Sequence, residues 1–264
     1  SISVPATSNG PIAINWAASA TATIYGLDQS VNGGAWAQVY ANSATSTTVT
    51  ATSSGSYSYR AYACNASGCN GYATSGAVAV TIPPASAPSL SVPASSNSGS
   101  YTVSWGGVSG ATSYTLQEQV NGGGWTTVQA NGSASWGASG KGNGTYGYHV
   151  QACNAGGCGP WSGTGTIIVA LIPAAPAAPN ISSSGVYWKP VVLVSWTAVP
   201  NATSYQLEQT DPVNGVNIVS GGSATSWSQL ILINGTVQFR VMACSSAGCS
   251  AFSGYRSITL HSGP

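Results

Sequence analysis

Residues 145–162 read TYGYHVQACNAGGCGPWS, and this stretch decides the fold. Its first half alternates large apolar and polar side chains, with Tyr146, Tyr148 and Val150 on one face. A period of two is the pattern of a β-strand that buries one side. Two cysteines follow, with four residues between them that include a pair of glycines, and these glycines favour a tight turn. The stretch therefore predicts a strand that folds back through a short hairpin.

The same pattern occurs three times along the 264 residues. Trp16, Trp105 and Trp196 are 89 and 91 residues apart, and each lies 48 residues before the first cysteine of its repeat. Proline-rich segments at 83–88 and 173–179 separate the repeats, and proline favours short, stiff, extended linkers. The sequence therefore predicts three domains, at residues 1–83, 84–173 and 174–264.

Strand and turn signals fill each repeat. Residues 101–105 and 114–118 alternate with period two, and Asn-Gly-Gly stands at 32–34 and 121–123. Asn and Gly accept the positive φ angles that hairpin turns need. Helical periodicity is absent, so we expect an all-β chain with one β-sandwich in each repeat.

These segments together resemble a fibronectin type III domain. In the second repeat, residues 103–105 match strand B, 114–116 strand C, 145–154 strand F and 159–162 strand G. The resemblance covers the whole chain. The repeats are also similar to the variants found in large bacterial surface and secreted proteins, including those with RHS or YD repeats. It implies three tandem fibronectin type III sandwiches, with the tyrosine corner of the family at Tyr57 and Tyr146 and missing at Val237. We expect core positions at Trp16, Tyr25, Leu27, Trp105, Tyr114, Leu116, Trp196, Tyr205 and Leu207, with Trp136 and Trp227 on strand E.

Composition narrows the functional classes. Charged residues make up 3% of the chain and the net charge is +1, so no basic face is expected to bind nucleic acid. Nine Trp and thirteen Tyr indicate a folded chain. No apolar run approaches the roughly 20 residues of a membrane span. The chain begins without an initiator Met or a signal peptide pattern. We therefore expect a mature or excised piece of a longer protein, located outside the cell or at its surface.

The six cysteines form three pairs of equal spacing. An even count in a secreted setting favours disulfides, and facing hairpin positions bring the Cβ atoms close enough. We predict the bonds Cys64–Cys69, Cys153–Cys158 and Cys244–Cys249. Zinc is the alternative, but it usually needs four ligands, and only His149 and His261 could add to the cysteines.

No group of residues predicts catalysis. The four carboxylates Asp28, Glu118, Glu208 and Asp211 do not repeat as a pair in any domain, as a glycosidase would require. No activated-serine or phosphate-binding motif occurs, and residues 140–142 are interpreted as a turn between strands E and F. We therefore predict no catalytic, cofactor-binding or metal-binding residue, and a protein that is not an enzyme.

Alignment of the repeats predicts polar pairs between strands C and F. Asp28, Gln117 and Glu208 share one position, and Arg60, His149 and Arg240 share another. By period two, both positions point away from the core. We therefore predict the ion pairs Asp28–Arg60 and Glu208–Arg240, with Gln117 facing His149.

The sequence favours a structural function. Stiff linkers, locked loops and near-zero charge suit a rigid spacer, stalk or filament segment that packs against copies of itself or other surface proteins. The longer A–B loop of the third repeat contains Tyr187, Trp188 and Lys189, and the loop containing Asn65 lies at the opposite end of the chain. We predict that these four residues form a head-to-tail interface, unless Trp188 caps its own sandwich.

The alternative function is a carbohydrate-binding or adhesive accessory module of a secreted bacterial protein. Trp36 and Trp125 each follow an Asn-Gly-Gly turn. Exposed aromatic rings beside a turn could stack on glycans. The same residues could instead be cross-strand partners within the hairpin.

Overall fold

The computed structural model describes residues 1–186 and 189–261. Every regular element in these ranges is a β-strand, which confirms the predicted all-β class. The strands form three successive pairs of sheets, and each pair is a sandwich. No described helix is long and apolar enough to cross a bilayer.

Within the described residues, twenty-seven strands build the three domains. The first domain contains β1 Ile2–Ser3, β2 Thr7–Ser8, β3 Pro11–Trp16, β4 Ile24–Val31, β5 Ala37–Asn42, β6 Ser46–Thr50, β7 Gly55–Asn65, β8 Gly68–Cys69, β9 Ala73–Thr74 and β10 Val78–Val80. The second contains β11 Leu90–Ser91, β12 Ser95–Ser96, β13 Tyr101–Trp105, β14 Ser113–Val120, β15 Trp125–Asn131, β16 Ser135–Ala138, β17 Gly144–Asn154, β18 Gly157–Trp161 and β19 Gly165–Val169. The third contains β20 Asn180–Val186, β21 Lys189–Ser195, β22 Ser204–Asp211, β23 Gly215–Gly222, β24 Ser226–Leu230, β25 Gly235–Ser245, β26 Gly248–Cys249 and β27 Arg256–Leu260.

Each sandwich packs a three-stranded sheet on a larger one. In the first domain the sheets run β1-β3-β6 and β2-β10-β7-β4-β5, and the second domain repeats this order with its own strands. The central pair of the larger sheet is antiparallel, as β4 with β7 and β14 with β17. The predicted hairpin turns form, with positive φ at Asn32 and Gly33 and at Asn121 and Gly122.

The cores consist of the inward-facing residues of both sheets. Each domain buries an equivalent Trp–Tyr pair, with ring centroids 6.1, 5.9 and 5.8 Å apart in chain order. Tyr57 and Tyr146 donate hydroxyl hydrogen bonds to the carbonyls of Ser53 and Gly142, as the tyrosine corner requires. Val237 is fully buried at the third position and cannot make this bond. Burial of these side chains is the main stabilising contribution to each sandwich.

The first strand of the third domain follows a different path. In the first two domains, a proline (Pro5 or Pro93) interrupts strand A, which then crosses to the larger sheet and pairs parallel with β10 or β19. Proline cannot donate to a ladder, so the strand leaves its first partner there. β20 contains no proline and pairs with β21 over seven residue pairs. In the part of the third domain that the structure describes, β27 therefore pairs with β25 alone.

All three predicted disulfides are present. Cys64–Cys69, Cys153–Cys158 and Cys244–Cys249 close the turn after the long strand of each domain. Each bond joins residues only five apart, so in the chain-entropy account it stabilises its domain by about 2 kcal/mol. Its main consequence is a turn of fixed shape at one end of the sandwich.

Candidate interaction surfaces

A cation held between aromatic rings lies on the outer face of the first domain. The Nε atom of Arg60 on β7 donates to Asp28 Oδ2 on β4 at 2.9 Å. The Arg60 guanidinium lies 4.7 Å from the ring centroid of Trp36 and 3.9 Å from that of Tyr72. Asp28 is 6% exposed although it faces away from the core, because these side chains cover it. The predicted ion pair is therefore part of a packed stack rather than an exposed surface pair.

The third domain repeats this stack with different rings. Arg240 binds both carboxylate oxygens of Glu208, at 2.8 and 2.9 Å. Its guanidinium lies 4.4 Å from the ring centroid of Phe252 and 4.7 Å from that of Tyr255, and the Tyr255 hydroxyl donates to Glu208 at 3.0 Å. The bond from Arg240 lowers the pKa of Glu208, although burial acts in the opposite direction.

This lowered pKa predicts acid sensitivity of the third domain. The ion pair stabilises the folded state fully above the pKa of an unfolded glutamate, about 4.3, and that stabilisation is lost as pH falls through the lower folded pKa. We expect lower hydrogen-exchange protection, after correction for the slower intrinsic exchange at acid pH, in peptides from β22 and β25 below about pH 4. Glu208→Gln should reduce this acid response and leave the part that comes from Asp211, whose pKa is raised by burial but lowered on balance by hydrogen bonds from Asn214, Gln209 and Val213. An unchanged acid response in the variant would contradict the assignment.

The second domain places a neutral histidine in the same stack. His149 lies between Trp125 and Trp161, with ring centroids 3.8 and 4.0 Å away and planes tilted by 11° and 23°. Its Nε2 atom is 2.9 Å from Gln117 Oε1, which is the predicted pairing. Burial lowers the pKa of His149, so the ring is held neutral at neutral pH. A Gln–His pair thus replaces the acid–Arg pair of the neighbouring domains.

The two candidate glycan platforms each use one ring face inside these stacks. Trp36 covers Arg60, and Trp125 covers His149, so both are cross-strand partners. Trp36 remains 36% exposed, as does Trp161, and Tyr72 is 54% exposed. The stacks therefore present a column of partly exposed aromatic rings on the larger sheet of the first two domains.

An inward-facing carboxylate in the second domain was not predicted. Glu118 is 8% exposed, and Lys141 Nζ contacts its two carboxylate oxygens at 2.8 and 2.6 Å. The Tyr148 hydroxyl donates to Glu118 at 2.5 Å and lies 2.6 Å from the Tyr101 hydroxyl. Burial raises the pKa of Tyr148, so the hydroxyl stays protonated and donates. Lys141, which the sequence suggested to be a turn residue, thus neutralises a buried acid.

The first linker is clamped by the disulfide turn of the second domain. Asn154, directly after Cys153, donates its Nδ2 hydrogens to the carbonyl of Ile82 in the linker at 2.8 Å and to Gly110 at 3.0 Å. The turn lies so close to the linker that a Cβ on Gly156 would overlap the carbonyl oxygen of Thr81. The linker is therefore held along its backbone by the next domain.

The second linker is held in an equivalent way. Ser245, directly after Cys244, donates to the carbonyl of Leu171 at 3.0 Å. From the other side, Asn143 accepts from the Leu171 amide at 2.7 Å and donates to Asn201 of the third domain at 3.2 Å. Leu171 is thus bonded through both its amide and its carbonyl. Both junctions place the disulfide turn of one domain against the strand exit of the domain before it.

The predicted interface residues are partly described. Tyr187 and Trp188 lie outside the described residues. Lys189 begins β21 and is exposed, and Asn65 ends β7 at the disulfide turn of the first domain. Within residues 1–186 and 189–261, no group of three His, Cys, Asp or Glu side chains could hold a metal ion.

No protein-family model matches the chain, and no curated protein matches it. Among solved structures, the chain is similar to the FN1–FN3 domains of chicken CNTN1, a contactin, at 20% sequence identity and a TM-score of 0.38. The match covers 99% of this chain and 97% of that chain. The strand order of the paired sheets is that of three tandem fibronectin type III-like sandwiches. Three disulfides in a chain of this size are typical of proteins from an oxidising compartment.

Proposed function

We propose that this protein is an extracellular structural protein, a rigid stalk or a self-assembling filament segment. The observation that carries the proposal is the clamp found at both junctions. In each, the residue after the first cysteine of a disulfide turn donates a hydrogen bond to the preceding linker carbonyl. A clamped linker removes the domain motion that is otherwise expected between tandem domains. The chain therefore acts as one stiff unit, three sandwiches long.

Low charge supports lateral or end-to-end packing of such units. The net charge is +1, and all four acidic side chains are bonded to basic or amide groups of their own domain. Little electrostatic repulsion would oppose contact between copies. The neutral surface thus favours a filament or a close-packed stalk.

The third domain offers an apolar surface for such contacts. The outer face of its three-stranded sheet exposes Val191, Leu193 and Leu230, which are 36%, 43% and 45% accessible. The first domain has Pro11, Ala13 and Thr50 at the equivalent places. This face adjoins the long β20–β21 hairpin, where the interface candidates Tyr187, Trp188 and Lys189 lie in the sequence. An interface anchored by aromatic and aliphatic residues is expected there.

Electron microscopy of the purified chain tests this proposal. We expect single molecules to be straight rods of uniform length. Molecules that bend freely at either linker would contradict the rigid unit.

Glycan binding is the second candidate function. The partly exposed rings of Trp36, Tyr72 and Trp161 favour it, since aromatic faces stack on sugars. A glycan array compares the two proposals: binding that is lost in Trp161→Ala and Trp36→Ala would favour an adhesive module of a surface protein. If the chain binds none of the glycans on the array, the structural role is the function that remains proposed.

A further inference from the structure

The disulfide turn of the first domain differs from its two equivalents in being uncovered. We define the tip of a domain as its first cysteine and the next six residues: 64–70, 153–159 and 244–250. In the second and third domains, three positions of each tip are half-buried beside the preceding linker. They are Gly156, Gly157 and Gly159 in the second domain and Ala247, Gly248 and Ser250 in the third. The equivalent positions of the first domain, Ser67, Gly68 and Asn70, are exposed.

The three tips have the same backbone shape. Gly68, Gly157 and Gly248 have φ angles of 126°, 131° and 131°, values that glycine accepts readily. A Cβ on Gly157 would lie 3.3 Å from Pro83 Cγ, and one on Gly248 would lie 3.8 Å from Ile172 Cδ1. A Cβ on Gly68 would meet nothing within 4 Å. The first tip thus has the shape of a linker-binding surface without a linker on it.

The first tip also lacks one hydrogen bond that the second tip makes to its linker. Asn65 Nδ2 donates to the carbonyl of Thr21 at 3.2 Å, which matches the bond from Asn154 to Gly110. Asn154 uses its carboxamide for a second bond, to the linker carbonyl of Ile82. A carboxamide carries two N–H donors. In the described part of the chain, Asn65 Nδ2 has no second acceptor corresponding to Ile82.

We propose that the tip of the first domain binds residues 261–264 of a second copy of this chain, where strand β27 ends. This inference rests on the proposed self-assembly. The last strands of the three domains end in the same register, with Val80, Val169 and Leu260 opposite Gly55, Gly144 and Gly235. A proline stands four residues after each end: Pro84, Pro173 and Pro264. By position in the sequence, Ser262 corresponds to Ile82 and Leu171, so the proposal assigns its carbonyl as the acceptor for Asn65.

The sizes of the side chains agree with this pairing. At the first junction, the Thr81 carbonyl lies against Gly156 and the Pro83 ring lies against Gly157. The first tip has Ser67 in place of Gly156, and the residue that corresponds to Pro83 is the smaller Gly263. The third tip has Ala247 there and is still covered by its linker, so a Cβ at this position is compatible with docking. Contact between opposite ends is heterologous, and repetition gives a filament.

Three variants of the full chain test this assignment. Ser67→Arg places a long side chain on the covered position and should abolish assembly. Asn65→Ala removes the donor to the partner carbonyl and should weaken association by roughly 2- to 13-fold, the equivalent of one hydrogen bond. Gly71→Arg is the matched control, since the position is exposed and a Cβ there meets nothing within 4 Å. It should assemble like the unmodified chain.

Assembly of the unmodified chain and of each variant is measured by sedimentation velocity over a concentration series, with electron microscopy of the same samples. We expect assembly of the unmodified chain and of Gly71→Arg, loss in Ser67→Arg, and the same loss when residues 262–264 are removed. Filaments that persist in Ser67→Arg would overturn the tip as the docking surface while leaving filament formation intact. If the unmodified chain stays monomeric at every concentration, a second copy does not bind the tip of the first domain, and the chain does not self-assemble. The proposal that the three domains form a rigid unit would not be affected by that result.

Discussion

Replacing Lys141 with methionine should destabilise the second domain by about 3 kcal/mol, because one partner of a buried ion pair is removed. The Lys141 side chain is 20% exposed and that of Glu118 is 9% exposed, so the expected loss lies at the lower end of the range for buried pairs. Without the ammonium, Glu118 keeps only the hydroxyl bond from Tyr148. The other two domains contain no counterpart of this pair: Gln29 and Gln209 occupy the Glu118 position.

A second substitution separates the loss of charge pairing from the loss of packing. Lys141→Met with Glu118→Gln removes both charges and should recover most of the stability, because no buried charge remains unpaired. Urea unfolding, with hydrogen exchange to assign the transition to peptides from β14 and β17, measures both variants. A single variant as stable as the unmodified chain, or a double variant no better than the single one, would show that the pair is not a buried ion pair in solution.

Replacing Gly156 with leucine should open the first junction without unfolding either domain. A Cβ at this position would already overlap the carbonyl oxygen of Thr81, and leucine needs far more room than the single methyl group of Ala247 at the second junction, so the linker must move away from the tip. The bond from Asn154 to Ile82 is then lost. Small-angle X-ray scattering should change from that of a single straight particle to that of a population dominated by bent ones.

The control for this junction is the neighbouring residue. Ala155 is exposed, and Ala155→Leu should leave the scattering as it is in the unmodified chain. Melting temperatures of both variants should stay close to that of the unmodified chain, since neither residue is part of a core. Scattering of Gly156→Leu that matches that of Ala155→Leu would mean that the tip does not hold the linker.

The sequence predicted the features that repeat. The Trp and Cys spacings identified three domains and three disulfides, and period two placed Asp28 opposite Arg60 and Glu208 opposite Arg240. The sequence did not predict how completely these two pairs are covered. Aromatic residues from neighbouring strands cover these pairs, and their contribution could not be read from strands C and F alone.

Two further features, the Glu118–Lys141 pair and the path of strand A, could have been predicted from single residues that differ between the repeats. Glu118 shares the inward face of Leu116, and Lys141 is the only lysine or arginine in residues 84–173, so a buried acid and its partner could have been paired. The proline that redirects strand A occurs at Pro5 and Pro93 and has no counterpart within β20. Both signals are single residues within otherwise similar repeats.

The clamps at the junctions could not be predicted from periodicity. Asn154 and Ile82 are 72 residues apart, and Ser245 and Leu171 are 74 apart. Their contact depends on how two folded domains meet, which no pattern within one repeat encodes. The rigid rod was predicted from the prolines of the linkers, whereas the structure supports it through hydrogen bonds from the following domain.

The width of a distance distribution across the first junction tests the rigid unit most directly. Spin labels on non-natural amino acids at the exposed positions Thr48 and Thr127 span the junction, and labels at Thr102 and Thr127 lie within the second domain as a reference. Non-natural residues are needed because every cysteine is in a disulfide. Double electron–electron resonance should give a single peak across the junction that is no broader than the reference peak. A broad or multiple distribution beside a narrow reference would contradict the proposal that the domains form one stiff rod.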